Sequence, residues 1–593
     1  MTMGTAIDRP SATVRDMSPW RLAAVCALAV LSASCAWGET VAPGNGGGSD
    51  KRPIVISDSA LGNYLAGRFA HSQRDMSAAA KYLMAVLDED PDNPEILRRA
   101  FMVLAIEGRI EQATTLALRL VALDDTVPFA PFALVVEDIR NGHFAEAEKR
   151  LNSLSSTGFN AFMVPLLGAW VQVGLGQTEK ALSALDPLAD RKGFQSMRLL
   201  HVGLINDVAG RDKAAEVAYL GASEDGKGLS RLVELLGNLY ERTGRSEAAE
   251  ALYEEYLKEQ PNSQLLEATR ARRNPGTVPD RLIRTAVEGV AEAVFGVANS
   301  LRQQTSLDIG LIFGRLALHL RPDFPLAQVM VADILESENR REESNAVYRT
   351  ISPESPYAWT ARLRVAANLD RVDRTDEAIA LLGTMGAERP DRPEPFINLG
   401  DIQRNHDRME EAVKAYDEAV KRIGALERRH WSLLYTRGIA LERSKQWPRA
   451  EADFLAALKF EPEQPYVLNY LGYSWVDQGI HLERAQKMIE RAVELRPNDG
   501  YVVDSLGWVL YRLGKFGGAV RELERAVELR PEDPIINDHL GDAYWRVGRR
   551  QEARFQWRRS LSLDPEDDLL SILKDKLEAG LGEAAKAKSG GDG

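Results

Sequence analysis

The sequence predicts an all-α solenoid, a stack of helical hairpins of nearly equal length, and two spacings carry this prediction. In the first, small residues recur every 34 positions. They form three series: Ala79, Ala113, Ala147, Ala181, Ala215 and Ala249; Gly310, Ser344, Ala378 and Ala412; and Ala485, Ala519 and Ala553. A period of this length is typical of architectures in which each unit packs only on its neighbours.

The second spacing places a glycine twelve positions before the small residue and a proline twelve positions after it. The glycine allows the first helix of a unit to approach its partner closely. The proline cannot continue a helix and marks the corner into the next unit. Four units carry the complete triplet: Gly67, Ala79, Pro91; Gly237, Ala249, Pro261; Gly507, Ala519, Pro531; and Gly541, Ala553, Pro565.

One segment matches a known repeat at nearly every diagnostic position. Leu506–Asp533, with the sequence LGWVLYRLGKFGGAVRELERAVELRPED, resembles the tetratricopeptide (TPR) repeat. The resemblance implies helix–turn–helix units that stack into a right-handed superhelix and bind other proteins along its groove.

The residues before the repeats predict export. An apolar run of 13 residues, LAAVCALAVLSAS, follows Arg21. It is too short to span a bilayer and has the length of a signal-peptide core. We therefore expect a signal peptide over 1–36, with Met1, Met3 or Met17 as the start, and a flexible glycine-rich linker over 37–59.

Two routes of processing remain open at the end of the predicted signal peptide. Small residues flank Cys35 in Ser34-Cys35-Ala36, so cleavage after Ala36 would release a soluble protein. Alternatively, the sequence before Cys35 is similar to a lipobox, and lipidation of Cys35 would anchor the chain to a membrane.

The repeats fall into two predicted arrays. Six degenerate units are expected over 60–263. The phase then breaks, because the step from Ala249 to Gly310 is longer than one repeat and shorter than two, and Pro275 and Pro279 fall in the interval. This predicts an irregular helical connector over 264–290, either a hinge between the arrays or a decayed repeat with an insertion.

Eight units are expected in the second array, over 291–567. Four extra residues are inserted near Ala425–Trp431, and one lies in the turn before Ala485. The last segment, 568–593, is predicted to form an amphipathic helix that caps the stack, followed by a disordered tail.

Composition excludes several classes of function. The net charge of −13 disfavours nucleic-acid binding. The only cysteines are Cys26 and Cys35, so the repeats hold no thiolate metal site or cysteine nucleophile. The eight histidines are scattered, and no long segment outside the repeats could house a catalytic domain. We therefore predict a protein that is not an enzyme and needs no cofactor or metal.

The candidate site is the groove lined by the first helix of each unit. Aromatic side chains beside charges give a peptide both a surface to bury and hydrogen-bond partners. The alternative is that the tryptophans of this set only pack between units. The predicted partner-binding residues are Asn469, Tyr473, Asp477, Tyr501, Asp504, Trp508, Tyr511, Arg512, Asp538, Asp542, Trp545 and Arg546.

A narrower resemblance concerns the C-terminal array. His430–Gly479 and the segments DSLGWVLYRLGKF and DHLGDAYWRVGRRQEARFQWRRSL resemble Gram-negative envelope TPR lipoproteins. This resemblance implies a non-enzymatic adaptor in the periplasm or at the outer membrane. Its implied partners are a carboxyl-terminal processing protease and the cell-wall hydrolases that the protease degrades. A structural component of an envelope assembly or polymer-export complex is the alternative.

Overall fold

The computed structural model describes residues 54–123, 127–191, 193–225, 230–260, 263, 278–304 and 307–582. Within these ranges the chain forms 29 α-helices and two short 3-10 helices, with no strand. The prediction of an all-α solenoid is confirmed. The signal peptide, Cys35 and most of the predicted linker lie outside the described residues.

Twelve helices form the first six hairpins, and odd-numbered helices are the first helices. Their bounds are α1 (Ala60–Ser72), α2 (Met76–Glu89), α3 (Pro94–Glu107), α4 (Ile110–Leu123), α5 (Ala130–Arg140), α6 (Phe144–Asn152), α7 (Asn160–Gly174), α8 (Thr178–Ser183), α9 (Gln195–Val208), α10 (Asp212–Asp225), α11 (Ser230–Arg242) and α12 (Ser246–Glu259).

Eight further hairpins and a final helix follow. Their bounds are α13 (Ala286–Gln304), α14 (Leu307–Leu320), α15 (Pro325–Ser337), α16 (Arg341–Tyr348), α17 (Ala358–Asp370), α18 (Thr375–Glu388), α19 (Glu394–Asn405), α20 (Met409–Ile423), α21 (Trp431–Arg443), α22 (Trp447–Phe460), α23 (Pro465–Asp477), α24 (Leu482–Leu495), α25 (Gly500–Arg512), α26 (Phe516–Leu529), α27 (Pro534–Arg546), α28 (Arg550–Leu561) and α29 (Asp567–Ala579).

The periodic small residues have one structural meaning. Each of them is the fourth residue of the second helix of its hairpin, from Ala79 in α2 to Ala553 in α28. Every alanine of the series is fully buried, and so is Ser344 in α16. A larger side chain at this position would push the two helices of the hairpin apart.

The paired glycines admit a bulky residue of the second helix, as their spacing predicts. A Cβ on Gly541 would lie 2.5 Å from Trp557, and one on Gly237 would lie 2.2 Å from Tyr253. The bulky residue follows the glycine by sixteen positions, or by seventeen in the hairpin with a one-residue insertion. The same pairing occurs at Gly67 with Leu83, Gly203 with Tyr219, Gly400 with Tyr416, Gly438 with Phe454, Gly472 with Ile489 and Gly507 with Leu523.

A third periodic position lies in the turn inside each hairpin, where the backbone is left-handed. Gly108 has φ +84°, and its neighbour Arg109 donates its N–H to Leu104 O at 2.9 Å, which closes the helix end. Positive φ recurs at the equivalent turn position of other hairpins: Arg74, Gly142, Gly176, Gly210, Gly244, Asn339, Asp373, Asp407, Lys445, Gly479, Gly514 and Gly548.

The predicted irregularities are found with different limits. Residues 278–285 are not helical, but α13 begins at Ala286, so the last five residues of the expected 264–290 connector are helical. Residues 264–277 lie outside the described ranges. A 3-10 helix, Arg428–His430, occupies the predicted insertion near Ala425–Trp431, and the terminal helix is α29.

The compact units of the chain differ from the predicted arrays. The chain divides between Ala378 and Ile379, within α18, rather than in the 264–290 segment. The reason is that hairpin 7 (α13 and α14), which the sequence assigns to the second array, packs on the helices of the first array. We call the part up to Ala378 unit 1 and the remainder unit 2.

Candidate partner-binding surface

In unit 1, another part of the same chain covers part of the face formed by the first helices. Helix α13 packs on α7 and α9, and α14 packs on α3 and α5. All four of these contacted elements are first helices, which line the groove in repeats of this kind. Hairpin 7 therefore occupies the position in which a partner would be expected.

Apolar side chains form the centre of this internal contact. Gly289 of α13 lies against Trp170 of α7, and a Cβ on the glycine would stand 2.2 Å from the indole ring. Phe313 of α14 is fully buried, with its ring centroid 5.8 Å from that of Phe129 and 5.3 Å from that of Phe159. Burial of these large side chains stabilises the contact, since apolar burial contributes roughly 25 cal/mol per Å².

A buried ion pair joins α11 to α13. The Arg231 guanidinium donates two hydrogen bonds to the Glu292 carboxylate, at 2.9 and 2.7 Å, and a third to Glu234 at 3.1 Å. Burial lowers the pKa of Arg231, but Glu292 and Glu234 raise it by more, so the cation is retained. Because both partners are shielded from solvent, removing one would leave a buried charge without compensation.

Neutral and charged contacts extend the interface. Behind the interface, Trp170 Nε1 of α7 donates to His201 Nδ1 of α9 at 3.1 Å, and burial lowers the pKa of His201 to about 4, so the imidazole is neutral and can accept. His319 of α14 lies 2.7 Å from Glu137 of α5. At the first hairpin, Arg74 pairs with Asp308 at 2.6 Å. The contacts of hairpin 7 thus extend from the first hairpin to the sixth.

In unit 2, the first helices again lie side by side, and they carry the predicted site. Helix α23 contacts α25, and α25 contacts α27. The structure places all twelve predicted groove residues on these three helices. Several of them bind one another from one hairpin to the next, at separations close to the repeat length.

Two such links lie near the C-terminal ends of the first helices. Arg512 Nη1 lies 3.5 Å from Asp477 Oδ1, and Arg546 Nε donates to Tyr511 Oη at 3.1 Å. In both pairs the two residues are 35 positions apart. These side chains therefore tie each first helix to the next, in addition to any role toward a partner.

Asp504 and the half-buried Trp508 form a polar and aromatic cluster with His539. The His539 ring is shielded from solvent, and its Nδ1 lies 2.9 Å from Asp504 Oδ1. Burial lowers the pKa of His539, but Asp504, Asp538 and Asp542 together raise it by more. Trp508 stacks on the His539 ring at 4.2 Å, and on Tyr511 at 4.9 Å.

Asp538 and Asp542 are also buried, and their partner is Lys576 of the terminal helix. Lys576 Nζ lies 2.7 Å from Asp538 Oδ1 and 2.8 Å from Asp542 Oδ1. Burial and Asp538 raise the pKa of Asp542, while Lys576 opposes the rise. Lys576 follows Asp542 by one repeat length, so α29 takes the place of the first helix of a further hairpin.

Trp545 and Arg546 contact the chain after α29. Trp545 Nε1 donates to Leu581 O at 3.1 Å, and Arg546 Nη1 donates to Gly582 O at 2.6 Å. The Trp545 ring also packs 5.3 Å from the fully buried Trp557. For Trp508 and Trp545, the geometry favours the alternative that they pack between adjacent hairpins.

The remaining predicted residues differ in exposure. Asn469 and Tyr473 are half-buried, and burial, with Asp504 and Asp477, raises the pKa of Tyr473 to about 12. Tyr501 is 52% exposed, and Asp477 is exposed despite its contact with Arg512. Tyr501 is therefore the member of the predicted set with the largest accessible aromatic surface. That these residues bind a partner stays a prediction.

Sequence reasoning missed two residues that share the register of Tyr501. Tyr466 of α23 and Ile535 of α27 are 39% and 53% exposed, and each is the second residue of its helix, as Tyr501 is of α25. We call Tyr466, Tyr501 and Ile535 the outer row. Their recurrence at nearly the repeat period was the available signal.

Arginines flank the two tyrosines of the outer row. Arg496 lies over the Tyr466 ring at 5.7 Å, and Arg530 lies over the Tyr501 ring at 5.2 Å. Arg530 also lies 3.5 Å from Glu532, and its side chain is 48% exposed. Each aromatic ring thus has a guanidinium beside it, whose several N–H groups can also donate to a bound group.

Two properties of the described residues bear on other functions. Among them, no three or more His, Cys, Asp or Glu side chains are grouped in a way that could hold a metal ion. None of the helices described is both long and apolar enough to cross a bilayer.

Comparison with repeat families matches four segments. A model described as TPR repeat matches residues 507–548, and models described as tetratricopeptide repeat match 232–265, 393–424 and 435–500. In the structure, residues 507–548 fall on hairpins 13 and 14, and residues 232–265 fall on hairpin 6. Residues 393–424 fall on hairpin 10, and residues 435–500 fall on hairpins 11 and 12.

Similar curated proteins cover part of the chain. The TPR repeat-containing protein PA4667 of Pseudomonas aeruginosa is 29% identical over 188 residues, 31% of this chain and 31% of that protein. The RNA polymerase-associated protein CTR9 of Caenorhabditis elegans is 25% identical over 190 residues, 30% of this chain and 16% of that one. The chain therefore spans less than a third of the length of these relatives.

Among solved structures, the APC/C hetero-tetramer Cut9–Hcn1 matches with a TM-score of 0.37 and 14% identity, over 88% of this chain and 97% of that one. YrrB, a TPR protein with an unusual peptide-binding site, matches with a TM-score of 0.26 and 21% identity, over 33% and 97%. The four matched segments show that this chain contains tetratricopeptide repeats.

Proposed function

We propose that this chain is a non-enzymatic scaffold that binds a partner protein along the outer row of unit 2. One observation carries the proposal: Tyr466, Tyr501 and Ile535 stay exposed at the same register of three successive first helices. Hairpin 7 contacts the corresponding face of unit 1 at α3, α5, α7 and α9, whereas the outer row of unit 2 is exposed.

The outer row has the chemistry of a protein contact. Tyrosine contributes a large apolar ring and a hydroxyl, and it is enriched among residues that dominate binding energy. Adjacent packed helices lie roughly 8–10 Å apart. An extended peptide advances about 3.3 Å per residue, so about three residues of such a peptide span the distance between successive members of the row.

The finer proposal places this scaffold in a bacterial cell envelope, as an adaptor between a carboxyl-terminal processing protease and cell-wall hydrolase substrates. It is supported by the apolar run that follows Arg21 and by the resemblance of His430–Gly479 to envelope TPR lipoproteins. The mechanism is proximity, because two partners held on one scaffold meet at a raised effective concentration. Lipidation of Cys35 would add a membrane anchor.

The test is affinity capture from the native cells with the full-length chain, comparing the wild type with the double variant Tyr466→Ala, Tyr501→Ala. We expect the variant to lose its main partner while its circular dichroism and melting temperature stay unchanged, since both rings are exposed. Phe555→Ala is the matched control, because Phe555 is a 65% exposed aromatic on the second helix α28.

The identity of the captured protein separates the finer alternatives. A protease captured together with its substrates supports the adaptor. A complex of fixed stoichiometry with other envelope components supports the structural role instead. Equal capture by the wild type and the double variant would contradict the assignment of the partner to the outer row.

A further inference from the structure

Helix α1 carries an exposed apolar stripe. Leu61, Leu65 and Phe69 are 67%, 54% and 67% exposed. They follow one another at intervals of four residues, so they lie along one face of the helix. Val55 and Ile56, which precede α1, are also exposed and extend the apolar surface at its start. We call Leu61, Leu65 and Phe69 the α1 stripe.

The position of Phe69 is buried in other hairpins. Phe69 lies two residues after the paired glycine, Gly67, and therefore about 200° around the helix from the side that meets α2. The residue at this position is buried in each of the other hairpins with a paired glycine: Ile205, Leu239, Ile402, Ala440, Ser474, Val509 and Ala543. Since this side of a first helix points away from its own second helix, another hairpin covers it.

The covering element is the hairpin that comes before in the chain. Helix α3 packs on α2, and α25 packs on α24. No hairpin precedes α1 in the part of the chain that the structure describes. The C-terminal end of the repeats differs, because α29 packs on α28 in the place of a further first helix. Within the described residues, the repeats therefore have a covered C-terminal end and an uncovered, apolar N-terminal end.

We propose that the α1 stripe is an interface between two copies of this chain, which pair antiparallel through α1. The stripe is symmetric about Leu65, because Leu61 and Phe69 lie four residues to either side of it. A two-fold axis at Leu65 places Leu61 of each copy against Phe69 of the other. It also places Leu65 against its own equivalent. Such self-complementarity is what a two-fold interface requires.

The charges beside the stripe favour the same arrangement. Asp58 precedes α1, Arg68 lies near its C-terminal end, and both are exposed. Antiparallel pairing sets the acidic end of one copy beside the basic end of the other, whereas parallel pairing would set like charges together. Complementary charges across an interface fix its orientation. The pairing involves unit 1 and does not depend on the partner proposed for the outer row of unit 2.

The first experiment is sedimentation velocity of the full-length chain at micromolar concentration in reducing buffer. We expect the wild type to sediment as a pair of chains and Leu65→Glu as a single chain, because the substitution sets two carboxylates against each other at the two-fold axis. Leu118→Glu is the matched control and should remain paired, because Leu118 is a 56% exposed leucine of the second helix α4. Circular dichroism should be the same for all three chains, since both leucines are exposed.

Cysteine cross-linking tests the antiparallel register. In a chain with Cys26→Ser and Cys35→Ser, Leu65→Cys should form a disulfide between two copies, because a residue on a two-fold axis meets itself. Leu61→Cys and Phe69→Cys should cross-link when two differently tagged chains are mixed. Neither should cross-link alone, because the two copies of either position stand about 12 Å apart along the helix axis, farther than a disulfide spans.

Several results would overturn the proposal. A wild type that sediments as a single chain, or a pair that Leu65→Glu leaves intact, would show that the stripe does not join two copies. A disulfide formed by Leu61→Cys alone would contradict the antiparallel register. A single chain in which Leu65→Cys reacts slowly with a maleimide would assign the stripe to residues before Ile54 of the same chain. A single chain that floats with phosphatidylcholine vesicles, and loses this binding in Leu65→Glu, would assign the stripe to a lipid surface.

Discussion

The glycine pairing can be tested by making the same substitution at a paired glycine, Gly237, and at an unpaired one, Gly168. Gly237→Ala and Gly168→Ala both change a glycine inside a first helix of unit 1. Alanine is favoured over glycine in a helix by about 1 kcal/mol, and this gain is common to both variants. The difference between them therefore isolates the packing of the added methyl group.

The structure sets opposite expectations for that methyl group. At Gly237 it would lie 2.2 Å from Tyr253 Oη and 2.4 Å from Cε1, and Tyr253 is fully buried. Relief of such overpacking costs about 1–3 kcal/mol. At Gly168 the methyl group meets no atom within 4 Å. We expect Gly168→Ala to stabilise its hairpin by about 1 kcal/mol, and Gly237→Ala to be about 1–3 kcal/mol less favourable.

Amide hydrogen exchange is the suitable assay, because a long repeat chain does not unfold in one cooperative step. Protection is compared in peptides covering α11 with α12, and in peptides covering α7 with α8. Each 1.4 kcal/mol of local stability changes exchange about tenfold. Equal changes in the two variants would refute the role assigned to the glycines.

Two further predictions concern unit 2. Trp508→Ala should lower the unfolding free energy of unit 2 by roughly 1–3 kcal/mol, because the indole ring stacks on His539 within the layer of first helices. Tyr501→Ala is the control and should leave this free energy unchanged. Equal thermal melts of the two variants would show Trp508 to be a surface residue. Lys576→Met should destabilise the end of the stack by about 3 kcal/mol at neutral pH. The pKa of Asp542 is already raised in the folded state, and removal of the lysine should raise it further. The folded variant then binds more protons than its unfolded form. The loss of stability caused by the substitution should therefore shrink as the pH falls. Amide hydrogen exchange in peptides covering α27 to α29, corrected for the intrinsic exchange rate at neutral and mildly acidic pH, measures this, and a loss independent of pH would contradict it.

The hairpins were predictable because their packing depends on contacts between neighbours in sequence. Ala79 and Ala553 lie near opposite ends of the repeats, yet each is the fourth residue of a second helix. A close helix crossing needs a small residue at one point in each hairpin, and this requirement leaves a periodic trace in the chain. The glycine twelve positions earlier records the same crossing from the other helix.

The position of hairpin 7 could not be predicted in this way. Its second helix follows the repeat pattern, with Gly310 in the expected place, but the contacts of α13 and α14 with α3, α5, α7 and α9 are distant in sequence. No regular spacing in the sequence indicates these contacts. Glu292 and Arg231, which are separated by 61 positions, look like two ordinary surface charges until the fold brings them together.

The candidate site was predictable only in part, for a reason that lies in the repeat itself. A residue on the first-helix face recurs one repeat later on the next helix, so groups one repeat length apart are neighbours. Asp504 reaches His539, and Asp542 reaches Lys576, because each pair has this separation. A polar residue on this face can therefore be satisfied by the chain itself, and its presence there does not imply a ligand.

It follows that exposure must be weighed together with register when a binding surface is sought on such a face. Trp508 and Tyr501 lie on the same helix and would both pass a search for groove aromatics. Trp508 is stacked between Tyr511 and His539, whereas Tyr501 keeps half of its surface accessible beside Arg530. A partner gains binding energy by covering surface that the chain has left exposed. The outer row meets that condition on three successive first helices, whereas the cluster of Asp504, Trp508 and His539 does not.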